Sequence, residues 1–86
     1  MSITIYSKSH CPYCVRAKQF LSSRDLKFIE LDITNNSKLQ EQCFSKANGQ
    51  KTVPQIFVGD HHIGGFDNMM ALVKTGEFDK IIKEMV

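Results

Sequence analysis

The chain has 86 residues, 42% of them hydrophobic, and its 11 basic and 9 acidic residues leave a formal charge of +2. That is one domain's worth of chain, residues 1–86, with too much apolar content for disorder. No run of five or six like charges occurs, no aromatic residues alternate with Lys or Arg, and no 18-residue apolar span is present, which argues against nucleic acid and membrane as partners.

Ile3–Tyr6 alternates branched and aromatic residues as strands do, and Ser7 to His10 reads as a turn. From Pro12 the spacing becomes helical: Cys14, Ala17, Phe20 and Leu21 share one face, and the helix is predicted to run to about Arg24. Pro12 suits the first helical position, where its missing N–H would have had no partner, so Cys11 stands at the helix entrance. A second strand is expected at Phe28–Leu31. Ser37-Lys38-Leu39-Gln40 matches a capping box opening a helix through Ala47, closed by Asn48-Gly49.

Gln55–Val58 and His62-Ile63 read as strands joined by a Gly59-Asp60-His61 turn, with His61 and His62 taken as turn residues. After Gly64-Gly65, Asp67 is expected to cap a short helix through Val73, with Met69, Met70, Leu72 and Val73 in the core. Gly76 separates it from a last helix carrying Phe78, Ile81, Ile82 and Met85 at i, i+3, i+4, i+7. A βαβ half followed by a ββα half implies an α/β fold, a mixed sheet of about four strands flanked by helices on both faces.

Three cysteines, two of them separated by two residues, do not resemble the even-numbered framework of a small secreted scaffold. With no signal-peptide core near the start, the expectation is an intracellular, cytoplasmic, monomeric protein. A C-x-x-C where a strand gives way to a helix reads as a thioredoxin-like redox motif. Unsatisfied N–H donors and the positive end of the macrodipole favour a thiolate on Cys11, with Lys8 an additional cation nearby. Cys14, one turn inward on the apolar face, is poorly placed to meet a bulky partner first, so Cys11 is the expected nucleophile and Cys14 the resolver.

Acidity serves the leaving step more than the attack. Lowering a thiol pKa from about 8.5 to about 5.5 raises its thiolate fraction at pH 7 roughly 30-fold, while a Brønsted coefficient near 0.4–0.5 removes roughly 15- to 30-fold of reactivity. A more acidic thiol, however, departs faster when another thiolate attacks its disulfide. The alternative for C-x-x-C is half a zinc site, which would have to recruit His10, Cys43, His61 or His62; no second paired motif occurs, and no metal is expected. Cys43, four residues after Leu39, is read as core, and His10 as a solvated loop residue.

Cys11-Pro12-Tyr13-Cys14 after Lys8, then Thr52-Val53-Pro54, then Gly64-Gly65-Phe66-Asp67, resembles the glutaredoxin family in order and spacing over nearly the whole chain. The resemblance implies a thioredoxin-like fold, glutathione as reducing co-substrate and a cis Pro54. It also implies a glutathione site made by Lys8, Tyr13, Thr52, Val53, Pro54, Gly65, Phe66 and Asp67. Val53 would pair its backbone with the tripeptide, the Gly64-Gly65 N–H groups would receive its glutamyl carboxylate, and Lys8 would approach the opposite carboxylate. Asn68 departs from the second acid common after G-G-x-D. Expected partners are disulfide-containing or glutathionylated proteins, with ribonucleotide reductase a family-based example. Two alternatives are an iron–sulfur cluster module, against which Pro12 argues, and a redoxin reduced by thioredoxin reductase.

Overall fold

The computed structural model describes residues 2–85. In chain order the elements are β1 (Ile3–Ser7), α1 (Pro12–Ser23), β2 (Phe28–Asp32), α2 (Ser37–Lys46), β3 (Gln55–Val58), β4 (His61–Gly64), α3 (Phe66–Thr75) and α4 (Glu77–Met85). The four strands form one sheet in the order β2-β1-β3-β4. β1 runs parallel to β2 with Ile3 opposite Phe28, and antiparallel to β3 with Ile3 opposite Val58. The crossover helix α1 makes the first pairing parallel, and the two-residue turn Gly59-Asp60 makes β3 and β4 antiparallel.

Alternation along the central strands sends side chains to two cores. Ile3, Ile5, Ile56 and Val58 face α1, α3 and α4, where they meet Ala17, Leu21, Met69 and Phe78. Tyr6, Phe57 and Ile33 face α2, meeting its Cys43 and the capping residue Ala47. The sheet is thus covered on both faces, as the element order predicts. In α1 the buried residues are Cys14, Ala17 and Leu21, with Phe20 packed at the margin, so the helix carries Cys14 on the face that anchors it. Full burial of a side chain such as Leu21 contributes roughly 1.5–3 kcal/mol. Phe78, Ile81 and Ile82 dock α4 on the same core, while the side chain of Met85 lies outside the described residues.

Three local expectations are corrected. The cap of α2 is Asn36, not Ser37: its extended backbone precedes the helix and its side chain accepts from the Leu39 N–H at 3.0 Å. Gln40 does not close a capping box but donates to the carbonyls of Ile33 at 2.7 Å and Thr34 at 3.2 Å. Asp67 is not the cap of α3; Gly65 holds that position, Asp67 lies in the first turn and the helix continues to Thr75 before Gly76 closes it in the left-handed conformation. His61 and His62 belong to β4 rather than the turn: they pair with Val58 and Phe57 directly after Gly59-Asp60, and an irregularity between Ile56 and Phe57 then sets Gly64 opposite Ile56.

Candidate active site

β1 delivers the chain to a loop in which His10 adopts φ 58°, and the Ser9 N–H donates to Thr34 Oγ1 at 2.8 Å. That tie to the β2–α2 connection fixes the entrance of α1. Cys11 occupies the cap position in extended conformation, and its Sγ accepts from the Cys14 N–H at 3.2 Å. Sulfur therefore takes the place usually held by a Ser, Thr, Asp or Asn oxygen and accepts one of the otherwise unsatisfied donors at the helix start.

Cys11 and Cys14 are joined in a disulfide with a Cα–Cα distance of 5.2 Å. Their environments are unequal. Cys11 is half-buried, whereas Cys14 is only 1% exposed. An incoming sulfur nucleophile therefore has access to Cys11 first.

The Val53–Pro54 peptide bond is cis, as the resemblance implies, and the Val53 carbonyl oxygen lies 3.8 Å from Cys11 Sγ. Among the described residues neither the N–H nor the C=O of Val53 takes part in a backbone hydrogen bond. Thr52, Val53 and Pro54 share one depression with Tyr13, Gly65, Phe66, Asp67 and Asn68. Lys8 lies apart from it, in a second depression that it shares with Cys11, Cys14, Lys18, Glu30 and Asp32. Seven of the eight expected groove residues thus line one depression, and Cys11, which lines the depression of Lys8, reaches the Val53 carbonyl of the other.

Exposed Tyr13 meets Phe66 with ring centroids 5.9 Å apart, and the Arg16 guanidinium lies 5.2 Å from the Tyr13 centroid. Helical periodicity alone assigns Arg16 to the solvent face; its i+3 relation to Tyr13 is the signal for this contact. The expectation for the Gly64-Gly65 N–H groups needs correction. Asn68 Oδ1 accepts from the Gly65 N–H at 3.0 Å, and Gly64 is part of β4. The first free N–H groups of α3 are those of Phe66, Asp67 and Asn68, since Met69 already donates to Gly65 O. Gly64 itself has φ +107°, and an added Cβ would lie 2.7 Å from Asn68 Oδ1, so both backbone and neighbour demand glycine there.

Glu30 receives the Ser7 hydroxyl at 2.6 Å and Lys18 Nζ at 2.9 Å, and these bonds hold its carboxyl below the usual range. Cys43, in contrast, sits fully inside the α2 core, where burial pushes its thiol up to about 11. It packs as the core residue expected. Among the described residues no three His, Cys, Asp or Glu side chains converge as a metal site, and no helix is long and apolar enough to cross a membrane.

Residues 3–63 match the family model described as Glutaredoxin. The chain is 45% identical over 82 residues to Glutaredoxin 3 of Escherichia coli (strain K12), spanning 95% of this chain and 98% of that protein. Among solved structures, the buckwheat glutaredoxin–glutathione complex superposes with a TM-score of 0.86 at 28% identity, over 98% of this chain and 78% of that one. The solution structure of glutaredoxin from Brucella melitensis gives 0.80 at 36% identity, over 94% and 87%. With a strand-to-helix cysteine pair, a cis proline beside it and this likeness across nearly the whole length, the chain belongs to the glutaredoxin family of glutathione-dependent thiol–disulfide oxidoreductases.

Proposed function

We propose that Cys11 is the nucleophile and Cys14 the resolving thiol, and that glutathione docks along Tyr13, Thr52, Val53, Pro54, Gly65, Phe66 and Asp67 with Lys8 at its far end. The contrast between accessible Cys11, whose sulfur accepts the Cys14 N–H, and buried Cys14 carries this assignment. Cys11 thiolate attacks one sulfur of a protein disulfide and expels the other as thiolate. Cys14 thiolate then attacks Cys11 Sγ, releasing the substrate reduced and leaving the Cys11–Cys14 disulfide. One glutathione thiolate attacks Cys11 Sγ and frees Cys14; a second attacks the bound glutathione sulfur, restoring Cys11 and forming glutathione disulfide. Helix-start donors stabilise the charge on Cys11 each time it departs.

The unpaired Val53 backbone offers a short strand edge to the extended tripeptide. Phe66 and Asp67 N–H groups suit the glutamyl carboxylate, the Asp67 carboxylate suits its ammonium, and Lys8 suits the glycyl carboxylate. A glutathione-bound relative with the same fold supports the choice of ligand. The family match does not favour the cluster-holding or reductase-dependent alternatives. Clients are proteins bearing disulfides or glutathione adducts, with ribonucleotide reductase as a candidate, met by a monomer in a reducing cytoplasm.

The test is turnover of a small glutathione mixed disulfide with glutathione and glutathione reductase. Cys11→Ser is expected to abolish activity. Cys14→Ser is expected to retain deglutathionylation while losing turnover of protein disulfides that need the second thiol. If Cys14→Ser loses deglutathionylation as completely as Cys11→Ser, the two roles are misassigned.

A further inference from the structure

Behind the Thr52–Val53–Pro54 turn lies a polar connection to the β3–β4 hairpin. Gln55 follows the cis proline and is 0% exposed. Its Nε2 donates to the Thr52 carbonyl at 3.0 Å, with Thr52 Oγ1 at 3.2 Å and Gln50 Oε1 at 3.3 Å also in reach. A carbonyl only accepts, so the amide nitrogen must face Thr52 and the amide oxygen must face the other way. There His62 Nε2 lies 2.7 Å from Gln55 Oε1. That oxygen in turn only accepts, which requires the His62 proton to sit on Nε2.

The imidazole has little freedom to do otherwise. It stacks on Phe57 with centroids 4.9 Å apart and an interplanar angle of 25°. Burial, with His61 beside it, holds its pKa below the ordinary value, so the ring is neutral at neutral pH. Removal of this donor would leave a buried amide oxygen unpaired. Rotation of the amide would not help, because it would set oxygen against the Thr52 carbonyl. Movement of the turn would relieve the conflict.

We propose that His62 is a positioning residue for glutathione, acting through Gln55 to hold the Thr52–Val53–Pro54 turn with the Val53 backbone turned toward the tripeptide. This rests on the groove proposed above. His62 itself is not among the groove-lining side chains, so its influence passes through Gln55.

His62→Phe keeps an aromatic ring against Phe57 and deletes the donor. In the coupled assay it is expected to raise the KM for glutathione about three- to tenfold, the worth of one such bond, with maximal rate within about twofold. His62→Gln, which restores an N–H donor, is expected to recover most of that loss. Gln55→Leu combined with His62→Phe should raise KM no further than Gln55→Leu alone. In ¹⁵N-resolved spectra of the wild-type protein, His62 should be the Nε2–H tautomer. An Nδ1–H tautomer, or an unchanged KM in folded His62→Phe, overturns the proposal. Asp67→Asn separates the two levels: if it raises KM while His62→Phe does not, the groove stands and the His62 role falls; if neither changes KM, the groove itself is misplaced.

Discussion

Glu30 lines the same depression as both cysteines and shows how a single side chain ties stability to pH. Its carboxyl is lowered from the ordinary 4.5 first by the Ser7 hydroxyl and then by Lys18. A folded-state pKa below the unfolded one stabilises the fold above the unfolded value, and that contribution is lost as pH falls through the folded value. The Lys18 and Glu30 side chains are 31% and 37% exposed, so water screens the pair and its worth is below about 1 kcal/mol. Thermal midpoints of the wild type and Glu30→Gln are expected to differ by a steady amount at neutral pH and to converge as the pH falls below 4.5 and through the lower folded value. A gap that stays undiminished to the acid end of the folded range would show that ionisation of Glu30 is not its source. The cysteine pair was legible from the sequence because its chemistry lies in four contiguous residues at a strand-to-helix junction. In the sequence Asn68 is only a departure from the family pattern; its bond to the Gly65 N–H depends on how β4 enters α3, which no local pattern encodes.

At the scale of elements, periodicity together with cap and turn signals placed every helix and strand, and errors clustered at ends. Asn36 and Ser37 are both good capping residues, and a Gln three positions after Ser37 made the wrong one look better. The structure chooses Asn36 because Gln40 is drawn away by the carbonyls of Ile33 and Thr34, groups contributed by the preceding loop. Asn36→Ala is therefore expected to cost about 1 kcal/mol in urea unfolding, and Ser37→Ala much less. Equal losses for the two variants would return the cap to Ser37. The α3 entrance follows the same rule: Gly65 has no side chain to offer, so Asn68 reaches back to its N–H, leaving Asp67 free in the first turn. There its charge complements the positive end of the helix.

For the whole molecule, one core serves both the fold and the site: α1 and α3, whose starts border the site, pack on the same core as α4. α4 touches neither depression beside the cysteines, yet Phe78 is fully buried and meets the Phe20 ring edge-on at 6.0 Å. Phe78→Ala is expected to lower unfolding free energy by about 3–5 kcal/mol, read from urea denaturation, while the folded fraction keeps its deglutathionylation rate. A loss below about 1 kcal/mol would mean that α4 is only loosely docked. The sequence by itself determined the element order, the amphipathic faces, the reactive tetrad and, through family resemblance, the cis Pro54, because each is written in short-range spacing or a compact motif. Tertiary structure alone decided that Lys8 lines a different depression from the other groove residues, that Asn68 occupies the Gly65 N–H, and that His62 reaches Gln55. Those relations join segments brought together only when the sheet closes, and hydrogen bonding between distant segments leaves no period along the chain.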